Sequence, residues 1–115
     1  MPLVAQPEVV TEQSCVQKLA QLFPHACPLQ LPVNVSSLGT GRSRLREQTV
    51  LEYGTEFEVL FPSVLPLEFE DRVRLVIANS SLDIVATVVA VRYHGGRKAV
   101  AVRFESKVPN WVIRS

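Results

Sequence analysis

Arg42, Arg44 and Arg46 place three guanidinium groups within five residues, beside a loop that carries Gly39 and Gly41. Guanidinium groups are planar forks that grip phosphate oxygens through paired hydrogen bonds and stack on aromatic bases. Side chains alternate along a strand, so all three would project to one side as a phosphate-binding comb. The same knot fits a plain solvated strand face balanced by nearby acids. From Glu47 to Asp71 every charged residue is acidic, and beyond it Arg72, Arg74, Arg92, Arg97, Lys98, Arg103, Lys107 and Arg114 dominate. That segregation predicts acid paired against base across neighbouring strands.

Other chemistry finds less support. Cys15 and Cys27 are the only cysteines, and with His25 and His94 they offer no C-x-x-C or H-x-x-x-H spacing. No zinc site is expected, and both thiols are expected to be reduced. His25 and His94 are the only side chains suited to act as a near-neutral base, and neither adjoins a G-x-S-x-G nucleophile motif. Glu56 and Glu58 lie two apart and would share one strand face, which alternation with Phe57 and Val59 assigns to solvent. No glycine-rich loop leads into a helix to cradle a triphosphate. The residues predict no enzyme, no catalytic residue and no metal.

These candidates must be positioned by elements that fit 115 residues, the size of one domain. A net charge of +1 gives no global field favouring nucleic acid or membrane. No apolar run is long enough to span a bilayer, and Met1-Pro2-Leu3-Val4 has neither the basic start nor the apolar stretch of a secretory signal, so a cytoplasmic location is expected. Residues 1–7 read as a tail. From about Glu8 to Phe23 the apolar residues Val9, Val16, Leu19, Ala20 and Phe23 recur at helical spacing, and Pro24 should stop the helix. Its stripe is expected to cover the body of the domain, with a partner as the alternative.

The rest reads as strands. Leu29–Ser36 alternates, with Pro32 on the opposite face and so expected at an edge. Arg44–Glu52 and Phe57–Phe61 follow, separated by a turn or bulge near Gly54. Arg72–Ala78 precedes a turn at Asn79-Ser80-Ser81. Leu82–Tyr93 is β-branched almost throughout, and His94-Gly95-Gly96 is a tight hairpin turn into Lys98–Phe104, with Val100, Val102 and Phe104 on one face. About six strands at this spacing predict a small antiparallel barrel, closed so that no edge is exposed. Residues 107–115, with Pro109, Trp111 and Ile113, are expected to be a tail that packs back or an apolar patch for a partner.

From Thr49 onward the order of features resembles a PilZ domain, the small β-barrel known as a receptor for cyclic di-GMP. The resembling stretches are Phe57-Glu58-Val59-Leu60-Phe61, Leu65-Pro66-Leu67 running on to Leu75, Ala86 to Arg92, and Ala99 to Phe104. With Leu29–Ser36 as first strand, the likeness covers about residues 25–106. It implies a mainly β fold, a six-stranded antiparallel PilZ-like barrel with one N-terminal helix. It also implies a bacterial, cytoplasmic, regulatory role without a cofactor, and cyclic di-GMP as the ligand to consider.

The family's nucleotide motifs are where the chain departs. PilZ receptors resemble each other in an R-x-x-x-R element before the first strand, whose arginines clamp phosphates and stack on guanines. A later D/N-x-S-x-x-G element lines the surface beneath the ligand. Here the first position falls near His25-Ala26-Cys27-Pro28, and no arginine precedes Arg42. The second falls at Glu52–Phe57, where Glu52, Gly54 and Phe57 take the Asp/Asn, Ser and Gly places. Literal matches occur in reverse order, as Asn34-Val35-Ser36-Ser37-Leu38-Gly39 and then Arg42-Ser43-Arg44-Leu45-Arg46. The expected function is a PilZ-like regulatory or protein-interaction module with an unknown protein partner and little or no customary cyclic di-GMP binding. A receptor that uses Arg42, Arg44 and Arg46 in altered geometry is the second reading. Nucleic acid is disfavoured, because Tyr53 and Tyr93 are not interleaved with the arginines as a stacking platform requires.

Overall fold

The computed structural model of the chain describes residues 14–38, 45–77 and 82–106. The expected tails 1–7 and 107–115, the turn at Asn79-Ser80-Ser81, and Arg42 and Arg44 lie outside them. A helix α1 (Cys15–Ala20) precedes six strands: β1 (Cys27–Ser37), β2 (Arg46–Gly54), β3 (Glu58–Pro62), β4 (Arg72–Ile77), β5 (Asp83–His94) and β6 (Arg97–Phe104). All neighbours are antiparallel, and the ring closes in the order β1-β2-β3-β6-β5-β4, with β4 returning to β1. The mainly β fold with a six-stranded antiparallel barrel is the one the sequence predicts.

Alternation builds the core. Val33 and Val35, Val59 and Phe61, Val73 and Leu75, Ala86 and Val88, and Val100 and Val102 all turn inward and are buried. Burying a side chain of this size contributes about 1.5–3 kcal/mol. The β5–β6 hairpin turns through Gly95 and Gly96 at φ +62 and +77, with His94 opposite Arg97. Two positive φ angles define a type I′ turn, which matches the twist of the strands and favours glycine.

The outer face of β3, β5 and β6 is apolar as well. Leu60, Ala99 and Ala101 form a second cluster with Cys15, Val16 and Leu19 of α1. The alanines leave room for the helix to lie close. A bulge sets this up: Val88 faces Val102 and Ala90 faces Ala101, so Val89 is the extra residue on β5. Val89 and Ala90 then pack under the helix, while Val91 returns to the barrel core. Ser14 caps α1 in a reciprocal box, its hydroxyl accepting from the Gln17 amide at 3.0 Å while its own amide donates to Gln17 Oε1 at 2.8 Å.

Three expectations change. Within the described part of the expected Glu8–Phe23 helix, extended backbone at Ser14 starts α1 at Cys15, and after Ala20 the chain relaxes into turns before Pro24; residues 8–13 lie outside the described residues. Six residues do not hold a helix alone, so its packing on the barrel holds it. Pro32 does not sit on an edge strand, because β1 pairs with β2 and β4. Among the described residues the β4 ladder reaches β1 from Val33 opposite Ile77 to Ser37 opposite Val73. Phe57 lies before β3, not on its inward face.

The closure between β2 and β3 is narrow, with only Tyr53 opposite Leu60 and Gly54 opposite Val59. Beyond it side chains bridge the gap. Thr49 donates its hydroxyl to the Pro62 carbonyl at 2.8 Å, and the Glu47 carboxylate accepts from the Ser63 hydroxyl and, at 3.0 Å, from the Val64 amide. The loop after β3 then turns Leu65 and Leu67 into the core, and the Lys98 ammonium donates to both of their carbonyls.

Candidate functional site

The two stretches to which the resemblance assigns nucleotide recognition do come together. Cys27 pairs with Gly54 and Pro28 with Tyr53, so the segment before β1 lies against the turn between β2 and β3. Between them is a groove of about 560 Å³, lined by Leu22, Phe23, Pro24 and His25 on one side, Thr55, Glu56, Phe57 and Glu58 on the other, and Arg103 of β6.

A compact hydrogen-bond system shapes the floor. The Thr55 hydroxyl accepts from the amides of Phe57 at 3.0 Å and Glu58 at 2.9 Å, and donates to Glu58 Oε1 at 2.6 Å. Thr55 also donates its amide to the Glu58 carbonyl at 2.8 Å, which closes the turn. Glu58 sits directly across the ladder from Arg103, whose Nε and Nη2 both donate to Glu58 Oε2, at 3.0 and 2.5 Å. Glu58 is therefore buried, at 8% exposure, and the expectation that it shares a solvent face with Glu56 is wrong. Its strand begins at Glu58 itself, and Thr55 and Arg103 fill the polar side that alternation left to water. Only Glu56 is exposed.

The walls are apolar and open: Leu22 is 63% and Phe57 55% exposed. Phe57 is displayed because Thr55 folds the turn back on itself and sends the preceding side chain outward. The sole guanidinium in the groove is already held by a carboxylate, and Glu56 adds negative charge at the rim. A phosphate entering here would meet a guanidinium whose charge Glu58 already balances, with Glu56 as a second acid nearby.

Of the three arginines singled out from the sequence, Arg46 is the one described. It opens β2 opposite Ser36, at the far end of β1 from His25. There it lines a separate groove of about 580 Å³ with Asn34, Ser36, Glu47, Gln48, Arg74 and Val76. Arg74 is tied to Asp83 at 2.5 Å. Asn34 and Ser36 belong to the reversed literal motif, so two of its side chains share a patch with Arg46 while His25 and Phe57 lie elsewhere. Of the expected pairing between the Glu47–Asp71 acids and the later bases, the described residues show Arg103–Glu58; Arg72–Glu105 and Arg74–Asp83 join bases to acids outside that block. Tyr53 packs against the helix cluster and Tyr93 is exposed with the Lys98 ammonium 5.8 Å from its ring centre, so neither adjoins Arg46.

Two features of the groove were not read from sequence: the burial of Glu58 and the participation of Arg103. Thr55 three residues before an acid, and an arginine in the closing strand, were the available signals. Among the described residues no helix is long and apolar enough to cross a membrane.

No protein-family model matches the chain, and no curated protein does. Among solved structures it is similar to an inhibitor of motility from Bacillus subtilis (MotI/DgrA), with a TM-score of 0.57 and 11% identity. The match covers 73% of this chain and 42% of that one, so the chain spans less than half of the protein it resembles. At that identity the likeness is one of fold, and it supports a PilZ-like barrel.

Proposed function

We propose that this chain is a non-enzymatic, PilZ-like regulatory module that acts through a protein partner at the groove between Leu22 and Phe57 and has little or no affinity for cyclic di-GMP. One observation carries the reading. Where the resemblance calls for free arginines, the groove holds His25, exposed Leu22 and Phe57, and an Arg103 already bound to buried Glu58. Apolar walls around a neutralised ion pair suit an apolar side chain with a polar rim, and disfavour a dianionic nucleotide. A motility inhibitor of similar fold fits a regulatory role.

A second reading has its own support. Arg46 shares a patch with Asn34 and Ser36, and with Arg42 and Arg44 close in sequence it would bind phosphate at the opposite end of β1. Calorimetric titration of the full chain with cyclic di-GMP separates the two. The leading reading expects no saturable heat in the micromolar range. Micromolar binding that disappears in the Arg42→Ala/Arg44→Ala/Arg46→Ala variant would replace it with the second.

A further inference from the structure

Two features at one end of the barrel carry opposite charge and, among the described residues, no ion pair. The first is a knob in the loop between β3 and β4, Glu68-Phe69-Glu70, with all three side chains exposed and Phe69 at 63%. The turn that displays it is fixed. The Asp71 amide donates to the Glu68 carbonyl at 3.0 Å, Asp71 Oδ2 accepts from the Glu68 amide at 2.8 Å, and the Glu70 amide donates to the Val88 carbonyl at 2.9 Å. Glu70 holds φ at +78, alone among the described non-glycine residues. It is the third residue of the turn, where positive φ favours glycine, so a charged side chain is kept there against backbone strain.

The second feature is the basic tip of the β5–β6 hairpin. His94 faces Arg97 across the ladder, and Arg92, two residues before His94, shares their face. All three are exposed, and like charges placed so closely repel. The other described arginines of β4 and β6 are each tied to a carboxylate, whereas Arg92 and Arg97 are not. Beside the tip, a groove of about 870 Å³ joins Arg97 and Lys98 to the apolar surfaces of Val64, Pro66 and Tyr93. The carboxylate in this groove, Glu47, is engaged by Ser63 and Val64, and the Lys98 ammonium donates to the neutral carbonyls of Leu65 and Leu67.

We propose that the knob of one copy seats in this groove of a second copy, with Phe69 against Val64 and Tyr93 and with Glu68 and Glu70 toward Arg92 and Arg97, so that the chain forms a reciprocal dimer. The knob does not reach its own groove, because it is bonded at Val88, five residues and about 17 Å along β5 from Tyr93. β3 and β5 both pair antiparallel with β6, so the loops that follow them emerge at the same end of the barrel. A twofold axis at that end brings each knob to the other copy's groove. Opposite charge at the two features sets the register of the contact, and the strained Glu70 aims a carboxylate that glycine would lack. This surface is separate from the groove at Leu22 and Phe57 and does not depend on its role.

Sedimentation velocity of the full chain, without nucleotide, reads the association directly. The sedimentation coefficient should rise with protein concentration from that of a monomer to that of a dimer and no further, and the dimer should weaken severalfold as salt is raised. Phe69→Ser and Arg97→Glu, both at exposed positions, should each give a folded monomer by circular dichroism at concentrations where the unaltered chain is dimeric. An equimolar mixture of the two variants keeps one intact seat and should regain dimer, more weakly than the unaltered chain. Glu70→Gly should raise the melting temperature and weaken the dimer, and it tests the knob if Phe69→Ser fails to fold. Leu22→Asp should leave association unchanged. A monomer at every concentration would overturn the proposal, as would assembly beyond two copies, a dimer that survives the knob and groove variants, a mixture that stays monomeric, or a dimer lost in Leu22→Asp.

Discussion

The barrel has two unlike outer faces. Over β3, β5 and β6, outward residues are Leu60, Val89, Ala99 and Ala101, and α1 seals them with Cys15, Val16 and Leu19. Over β1, β2 and β4, outward residues are Asn34, Gln48, Arg74 and Val76, and water covers them. Both faces arise from the same alternation, so the strand pattern does not distinguish them. The difference lies in side-chain size and polarity: alanines mark where a helix lands, whereas long polar side chains keep a face open. The groove at Leu22 and Phe57 lies where the sealed face ends, with apolar walls left over once the helix has stopped.

Substitutions that act on one face only test this contrast. Leu19→Ala removes a fully buried side chain from the sealed face and should cost about 2–5 kcal/mol in urea unfolding. Gln48→Ala, on the open face, should stay within about 0.5 kcal/mol, and equal losses at the two sites would abolish the distinction. Ala101→Leu tests whether the alanines are spacers. Overfilling beneath the helix should cost about 1–3 kcal/mol, with Cys15 becoming reactive to a thiol reagent as α1 lifts. At the border, Glu58→Ala should cost about 1–3 kcal/mol, because the Thr55 hydroxyl loses its acceptor in a buried turn. Arg103 stays hydrated there and adds little.

The smallest effects belong to the exposed ion pairs. Hydrogen bonding from Arg74 holds the Asp83 carboxyl below its usual range, and hydrogen bonds from Arg72 and then Thr87 do the same for Glu105. Both groups bind a proton less readily folded than unfolded. Their support is therefore complete above the ordinary carboxylate values of 3.8 and 4.5 and fades as pH falls through the lowered folded values. Replacing Arg72 and Arg74 with Gln should flatten the acid limb of a plot of melting temperature against pH. Glu52 runs the other way: burial raises its pKa, so its charged form is disfavoured in the fold. Glu52→Gln should raise the melting temperature slightly at neutral pH and not at acid pH, and the reverse pattern would discount that burial.

Much of the fold was legible because alternation and turn chemistry are local. Gly95 and Gly96 announce a two-residue turn, and Val100, Val102 and Phe104 declare an inward face without any knowledge of their neighbours. Features created by contact between distant elements were harder to read. The extra residue Val89 sits in a run of valines with no mark of its own, and the small size of Ala99 and Ala101 acquires meaning only beneath a helix some eighty residues earlier. The candidate site shows the same division. His25–Pro28 and Glu52–Phe57 were identified as the places a ligand motif should occupy, and pairing of Cys27 with Gly54 brings them side by side. What those places hold depends on Arg103 reaching across to Glu58, a cross-strand register that spacing does not reveal.

Cutting the cylinder at its weakest line would leave a curved sheet in the order β3-β6-β5-β4-β1-β2, with five ladders intact and only two residue pairs lost. The cut would also break the side-chain bridges that span it, from Thr49 to the Pro62 carbonyl and from Glu47 to Ser63 and Val64, so side chains make up most of the fastening there. The molecule is thus built like a cuff with a clasp, joined at that line by fewer backbone pairs than at any other ladder of the ring.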